Sequence, residues 1–295
     1  AEPKVEGLRN FTNKLWNISR YILSSTEASP EDEVPMPRTL ADRWLLARFS
    51  KVVADVEKLV AEYQLSLAGE LLREFAWNDL ADWYLEIAKV EKEGKSPILR
   101  HVLKRLLIVL HPFMPFVTEA IWEHAGWEGA LISSVWPVSA TGDAAALVPF
   151  EALRTLVTDG RRLRAEVKLD PAKKLAFQLV TDDQAWMLVE ENRAWIERLL
   201  GAASLERVTA LAPNQCSTPS GSSLLGIVQE APSGDDRARL EEEYAAAEKY
   251  EADLERRLQN QEFISKAPEK VVNDIKTTPE ETKAKKERLA GQLRK

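Results

Sequence analysis

The chain has 295 residues, of which 45% are hydrophobic and 29% are charged, and these globular proportions exclude a disordered or collagen-like protein. A formal charge of −7 excludes a protein that coats nucleic acid by bulk positive charge, although it allows local basic faces. A single cysteine cannot form an internal disulfide, and no apolar run is long enough to span a bilayer, so we expect a cytoplasmic protein.

The first part of the chain, up to about residue 137, is predicted to be helical because apolar residues recur at spacings of three and four. Ser66 is predicted to cap the third helix, which turns Leu67 inward, and residues 94–97 are predicted to form a turn. Short polar breaks between long helices are typical of an antiparallel bundle, and we assign residues 1–145 to this domain. The predicted helices cover residues 8–22, 39–63, 66–80, 98–110 and 117–125.

The second part mixes the helical spacing of apolar residues with the alternating spacing of strands, and this predicts a small α/β domain at residues 146–232. A helix is expected at 151–167, and a second helix is expected to begin at Asp182 or Asp183, run through Leu200 and end at Gly201. The predicted strands cover residues 175–180, 205–211 and 224–229. The stretch 212–223, which is rich in Pro, Asn, Ser and Gly, is interpreted as a loop.

The third part, residues 233–295, is dominated by charged residues, alanine and leucine. Two seams of apolar residues, separated by a break near Pro268, predict an antiparallel coiled-coil hairpin, which Pro279 interrupts in its second arm. The predicted fold class is therefore mostly α, with a helical bundle, a small α/β linker domain and a C-terminal coiled-coil hairpin.

Motifs for catalysis or metal binding are not expected in this chain. The segment 93–96 mimics the end of a phosphate-binding loop, but Lys89 stands where that loop requires glycine. Asp79 and Asp82 share a helix face, yet such carboxylates are more often solvated or bonded to arginine than catalytic. Cys216 lacks a basic neighbour that would lower its pKa, and three histidines with one cysteine do not favour a zinc site.

Four motifs in order carry a family resemblance. They are NFTNKLWN at residues 10–17, LADRWLL at 40–46, FAWNDLADWYLE at 75–86 and HPFMPFVTEAIW at 111–122. Together they resemble the anticodon-binding helical domain of class Ia aminoacyl-tRNA synthetases, and within that class they are most similar to the valyl-tRNA synthetase family. Residues 163–166 and 171–174 resemble its linker domain, and residues 260–272 resemble the tip of its coiled-coil arm.

The resemblance implies the C-terminal, tRNA-binding half of a longer enzyme, because neither signature motif of the adenylate-forming domain occurs here. ATP and valine would then bind that catalytic domain, which would be a partner of this chain, and no cofactor is expected here. The implied function is to position valine tRNA through its anticodon loop and outer corner, without membrane or DNA binding. The alternatives are a free-standing RNA-binding paralogue and a structural helical or coiled-coil scaffold.

Three sets of residues are candidate tRNA contacts. The opposing interpretation is that Trp44, Trp77 and Trp83 are core residues, that the arginines pair with Asp42, Asp79 or Asp82, and that the remaining cations are solvated or pair between helices. The bundle set is Arg38, Arg43, Arg48, Lys51, Arg73, Trp77 and Asn78. The linker set is Arg161, Arg162, Arg164, Lys168, Lys173 and Lys174. The arm set is Lys266, Lys270, Lys276, Lys283, Lys285 and Lys286.

Overall fold

The computed structural model describes residues 2–26, 34–138, 142–167, 173–212, 215–228, 242, 244–246 and 248–250. Residues 1–228 form one compact unit and residues 229–295 a second. The described chain is mostly helical with one small mixed sheet of four strands, which confirms the mostly α fold class. The predicted hairpin lies outside the described residues, except for short helical pieces between residues 242 and 250.

Residues 2–26 and 34–138, hereafter the helical part, form long helices that are joined by short breaks from residue 40 onward. Residues 65–91 are helical without interruption, because a π-helical stretch at Phe75–Tyr84 joins α3 to α4. The helices are α1 (Glu2–Ser25), α2 (Leu40–Ala61), α3 (Leu65–Glu74), α4 (Leu85–Glu91), α5 (Lys95–Leu110) and α6 (Pro115–His124). None of the helices in the described ranges is long and apolar enough to cross a membrane.

Two details predicted for the helical part are wrong. Ser66 does not cap α3, which begins one residue earlier after Gln64, and Leu67 is 57% exposed rather than buried. The predicted turn at 94–97 is shorter, because Gly94 at φ +74° precedes the first residue of α5. Pro97 lies in the first helical turn, where its missing N–H has no intrahelical partner to lose.

Residues 142–228, hereafter the α/β part, place α7 (Leu147–Val167) beside the sheet. The strand order is β2-β1-β4-β3; β1 and β2 are parallel, and the other two pairings are antiparallel. The remaining elements are β1 (Leu175–Val180), α8 (Asp183–Glu191), α9 (Arg193–Leu200), β2 (Ala202–Arg207), β3 (Ser217–Ser220) and β4 (Ser223–Val228).

The predictions for the α/β part were correct for β1 and needed three corrections elsewhere. The helix predicted up to Leu200 is two helices that meet at Asn192, although Asp182 caps its start and Gly201 ends it at φ +64° as expected. The strand predicted at 205–211 lies at Ala202–Arg207. The predicted loop 212–223 contains β3, an edge strand whose Pro219 fits an edge position.

One core runs through both parts of this unit. The ring of Trp44 in α2 stacks on Phe150 in α7 with centroids 3.9 Å apart, and Phe150 in turn lies 5.8 Å from Trp195 in α9. Gly160 in α7 allows a close approach, because a Cβ there would lie 2.3 Å from Leu200. The domain boundary at residue 145 stays a prediction, since apolar packing is continuous across it.

Candidate nucleic-acid interface

The N-terminus of α2 is held by a buried ionic network. Thr39 caps α2, and the Asp42 carboxylate accepts hydrogen bonds from the backbone N–H groups of Arg38 and Thr39 at 2.9 and 3.0 Å. The same carboxylate accepts from Tyr84 Oη at 2.8 Å and from Lys95 Nζ at 2.5 Å. Lys95 also contacts Glu91 and Thr39, so the network ties α2 to α4 and α5.

The network shifts the pKa values of its members in opposite directions. Burial alone raises the pKa of Asp42, but Lys95 and the donors from Arg38 and Tyr84 outweigh burial and hold that pKa below its usual value. Burial and the neighbouring Asp42 charge raise the pKa of Tyr84 well above its usual value. Asp42 is therefore a charged acceptor and Tyr84 a neutral donor near neutral pH.

Arg38 lies at the outer edge of this network and projects into solvent. Its Nη1 is 2.6 Å from Glu93 Oε1, and both side chains are more than half exposed. Its chain passes directly over Gly94, where a Cβ would lie 3.0 Å from Arg38 Cδ. The buried network thus fixes the backbone of Arg38 while its guanidinium group stays accessible.

Arg48, a member of the same predicted set, forms an ion pair with a buried carboxylate of this chain. Its Nε is 2.8 Å from Asp79 Oδ2, and Arg154 of α7 contacts the other oxygen of Asp79 at 3.1 Å. Asp79 is buried in the π-helical stretch, so it joins α2 to α7 through two guanidinium groups. Arg48 therefore occupies the position that the opposing interpretation assigned to it.

Trp77 and Asn78 lie in the π-helical stretch and are both half-buried, and Trp77 packs against the hydrophobic core. Lys14 Nζ lies 5.1 Å from the Trp77 ring centroid and 3.0 Å from Asp82. Within the described ranges the Asn78 side chain has no hydrogen-bond partner. Trp44 and Trp83 are buried in the core, as the alternative interpretation expected.

The other cations of the bundle set make surface ion pairs. Lys51 lies 3.0 Å from Asp55, Arg73 pairs with Glu70, and Arg43 is 3.8 Å from Asp143. Exposed pairs of this kind contribute only about 0–1 kcal/mol, so these cations can exchange a carboxylate for a phosphate at little cost.

A groove lined by residues of α2 and α5 and by residues 134–138 and 142–143 was not predicted. We call it the α2–α5 groove; it encloses about 900 Å³ and is lined by aromatic residues and by cations. Gly142 lets its outer wall approach α2, because a Cβ there would lie 2.3 Å from Ala47 Cα. The aromatic and cationic lining residues are Phe49, Trp122, Trp136, Arg43, Lys104 and Arg105. The basic residues of α5 were overlooked because the apolar pattern dominates that segment.

The basic residues of α7 are largely used to bind backbone carbonyls. Arg161 Nε donates to Leu199 O at 2.9 Å, and Arg164 Nη1 donates to Leu200 O and Gly201 O at 3.2 and 2.7 Å. These carbonyls end α9 and have no acceptor role within the helix. Arg161 also stacks over Trp83 at 5.5 Å, and burial lowers its pKa.

The rest of the linker set is divided. Arg162 donates to Thr218 at 3.0 Å and pairs with Asp159 at 3.2 Å. The backbone carbonyl of Lys173 accepts from Arg164 at 3.0 Å, whereas the side chain of Lys174 is exposed. Lys168 and the whole arm set, Lys266, Lys270, Lys276, Lys283, Lys285 and Lys286, lie outside the described residues.

Comparison with known proteins gives two family matches in order along the chain. Residues 42–179 match the anticodon-binding domain of tRNA ligases, and residues 234–295 match the tRNA-binding arm of valyl-tRNA synthetase.

Relatives that align with nearly the whole of this chain agree with these two family matches. A valine–tRNA ligase of Bacillus cereus is 32% identical over 98% of this chain and 35% of its own length. Those of Carboxydothermus hydrogenoformans and Streptomyces avermitilis are 36% and 34% identical over 92% and 94% of this chain, each over 32% of its own length. The chain thus spans about a third of the length of these relatives. It belongs to the valyl-tRNA synthetase family and corresponds to its C-terminal region, the anticodon-binding domain followed by the tRNA-binding arm.

Proposed function

We propose that this chain binds valine tRNA, contacting the anticodon loop with the helical part and the outer corner of the tRNA with the arm. The observation that carries the proposal is the order of the two family matches, an anticodon-binding domain at 42–179 and a tRNA-binding arm at 234–295. The helices would pack as an antiparallel bundle, and the arm would be a coiled-coil hairpin.

Exposed cations on the helical part support this function. Arg38 and Lys51 are both more than half exposed and paired only with carboxylates that are also accessible. Phosphate contacts of this kind give affinity and register, whereas base edges and ring faces give sequence preference. Trp77 and Asn78, which are both half-buried, are the candidates for such contacts, and Trp77 carries the Lys14 ammonium group 5.1 Å from its ring centroid.

The chemistry of aminoacylation would take place outside this chain. Valine and ATP would react on a catalytic domain of the same synthetase, and this chain would hold the tRNA so that its 3′ end reaches that domain. We therefore expect no aminoacylation activity and no cofactor requirement for tRNA binding by this chain alone. A cytoplasmic location fits a partner that is a cytoplasmic RNA.

The direct test is fluorescence anisotropy with labelled valine tRNA and the same tRNA with a changed anticodon, each at two salt concentrations. We expect tighter binding of the cognate tRNA and weaker binding of both at high salt, because released counterions drive phosphate binding. Equal affinity for the two tRNAs would reduce the function to a phosphate-binding platform. Absence of binding to either would favour the scaffold alternative.

A further inference from the structure

The motif HPFMPFVTEAIW holds an aromatic side chain on a fixed turn at the protein surface. The buried hydroxyl group of Thr118 donates to a backbone carbonyl oxygen of the turn between α5 and α6 at 2.8 Å and lies 2.9 Å from His111 Nδ1. Phe113 packs against α3, because a Cβ on Gly69 would lie 3.3 Å from its ring. Phe116, which follows in this turn, is nevertheless 90% exposed.

A second exposed aromatic residue occupies a strained position. Tyr63 follows the C-terminus of α2 with φ +58°, a left-handed conformation that favours glycine, and it is 90% exposed. Its backbone N–H donates to Val60 O at 3.0 Å, and that of Gln64 donates to Leu59 O at 2.8 Å. These two hydrogen bonds form a Schellman motif, in which the left-handed residue is usually glycine. Because the ring is exposed, the packing of this chain does not explain why a tyrosine stands there.

Two contacts show which end of the helical part carries these residues. Lys14 Nζ lies 3.0 Å from Asp82, and seven residues further along each helix Lys89 Nζ lies 5.3 Å from the ring centroid of Tyr21. The helix α1 and the continuous helix 65–91 therefore run in the same direction and begin at the same end.

Exposed apolar side chains occur at this end. Tyr63 lies just before the helix 65–91, and Phe113, which is close to Phe116 in the chain, packs beside the second turn of that helix at Gly69. A group of exposed apolar side chains at one place marks a contact site. We call this surface the apolar end; its side chains, all more than half exposed, are Leu8, Tyr63, Leu65, Leu67 and Phe116.

The apolar end is distant from the candidate phosphate contact Arg38 and has balanced charge. Arg38 lies over Gly94, just beyond the other end of the helix 65–91, and a helix of that length separates the two sites by roughly 40 Å. The ion pairs near the apolar end match each cation with a carboxylate, so they add no excess of positive charge that would attract RNA. These pairs are Arg9 with Glu6, Lys58 with Glu62 and Arg73 with Glu70.

We propose that the apolar end is the surface on which the catalytic domain of the same synthetase packs. This chain corresponds to the C-terminal region of relatives of which it spans about a third, so in such an enzyme the preceding part joins α1, which begins at the apolar end. The proposal rests on the part of the proposed function that assigns aminoacylation to a domain outside this chain. It does not depend on tRNA binding, and it leaves Arg38 accessible.

The first experiment is hydroxyl-radical footprinting, measured by mass spectrometry, of this chain alone and of a hybrid ligase. In the hybrid, this chain replaces the corresponding region of the valine–tRNA ligase of Carboxydothermus hydrogenoformans, which is 36% identical to it. We expect Tyr63 and Phe116 to be oxidised at least about tenfold more slowly in the hybrid, because the core of a protein interface excludes water. Met36, which is 86% exposed and lies near Arg38 in the chain, is the matched control and should react equally in both proteins.

The outcomes separate this proposal from its alternatives. Equal oxidation of Tyr63 and Phe116 in the chain and in a hybrid that activates valine would overturn it. Protection of the two residues by valine tRNA in the chain alone would also overturn it, because the apolar end would then contact RNA. Protection that depends on the concentration of the chain alone would assign the surface to a second copy. If the hybrid shows protection and the chain does not bind tRNA, the proposed tRNA binding fails and the packing surface stands.

The second experiment uses this chain alone, so it tests the proposal even if the hybrid does not fold. Tyr63→Gly should raise the midpoint of urea unfolding, because glycine adopts the left-handed conformation without strain. Phe116→Ser should leave the midpoint unchanged, because the ring is exposed. A lower midpoint in either variant would show that the side chain stabilises the fold of this chain, and it would overturn the assignment of that side chain to an interface.

Discussion

The basic residues of the helical part and those of α7 resemble one another in the sequence but differ in what they contact. Arg38 and Lys51 extend into solvent and pair with exposed carboxylates. Arg161 and Arg164 turn towards α9 and donate to its last backbone carbonyls. If a guanidinium group that bonds such carbonyls moves away, the carbonyls lose their hydrogen bonds and the protein loses stability. An exposed ion pair can break with almost no loss of stability. The partner of a cation, rather than its density in the sequence, therefore decides whether it is available to RNA.

Cations paired with buried carboxylates form a third group within the helical part itself. Lys95 is 3% exposed in its side chain and lies against Asp42, and Arg48 lies against Asp79. These residues connect helices that are distant in sequence. These ion pairs explain how the helical part can present Arg38 on a fixed backbone. Substitutions in them are expected to cause the largest losses of stability, so they test most strongly whether buried and exposed cations differ.

Replacing Lys95 with methionine is expected to cause the largest loss of stability. The substitution leaves the buried Asp42 carboxylate without its cation, and breaking a buried pair in this way costs about 3–5 kcal/mol. Urea unfolding followed by circular dichroism at pH 7 measures the change. Lys51→Met, in an exposed pair on α2, is the matched control and should change the free energy of unfolding by less than about 0.5 kcal/mol. Equal effects in the two variants would mean that burial does not distinguish these cations.

Arg164→Met should produce the next largest effect. The variant removes hydrogen bonds to the carbonyls of Leu200, Gly201 and Lys173, and we expect it to lower the free energy of unfolding by about 2 kcal/mol. Lys174→Met, an exposed position in the same set, should leave stability unchanged. The same urea titration tests both variants. An Arg164→Met protein of unchanged stability would show that these hydrogen bonds do not stabilise the packing of α7 on α9.

The Asp42 network should also make the free energy of unfolding depend on pH. This change is expected to be smaller than the losses in the two variants above, because it involves the binding of one proton. Its pKa is lower in the folded protein than the usual value of 3.8, so its contribution is complete above pH 3.8 and is lost as the pH falls through the folded pKa. The free-energy difference between the wild type and Asp42→Asn should therefore be constant near neutral pH and shrink in acid.

The Tyr84→Phe variant sharpens this measurement. It removes one donor to the Asp42 carboxylate and so raises the folded pKa of Asp42, and the loss of stability in acid should therefore be smaller and end at a higher pH than in the wild type. A loss of the same size that ends at the same pH in both proteins would show that the tyrosine hydroxyl does not support the charged form.

Periodicity in the sequence was sufficient to predict most elements but not their irregularities. The core positions Leu15, Val52 and Leu103 follow the helical spacing, and all three are buried. Nothing in the pattern marks the π-helical stretch or the break at Asn192, because both depend on packing against other elements. The strand β3 has the composition of a loop, since an edge strand needs few apolar residues.

The sequence was sufficient to name candidate contact residues by their type. It was not sufficient to predict which residue each of them pairs with in the fold. Arg48 and Asp79 are 31 residues apart, and Lys95 and Asp42 are 53 apart, so local spacing cannot reveal either pair. The sequence predicts no partner for Lys95, which lies in the segment 93–96 that mimics a phosphate-binding loop. The α2–α5 groove was missed for the same reason, because its lining residues on α2 and α5, such as Arg43 and Lys104, are far apart in the sequence.

The smallest expected effect is on the salt dependence of tRNA binding. It tests most directly the difference between the exposed cations of the helical part and the cations of α7 that bond backbone carbonyls. Arg38→Gln removes an exposed cation without disturbing the Asp42 network, because the backbone N–H of residue 38 still donates to that carboxylate. If Arg38 binds a phosphate, the salt dependence of valine tRNA binding should lose about 0.7–0.9 from its logarithmic slope, while the unfolding midpoint stays constant. Arg161→Gln should do the reverse, lowering the midpoint and leaving the slope unchanged, because its guanidinium is engaged with Leu199 and Trp83. An equal decrease of slope in both variants would contradict this division, since a cation held by a backbone carbonyl would then contact RNA as readily as one held by an exposed carboxylate.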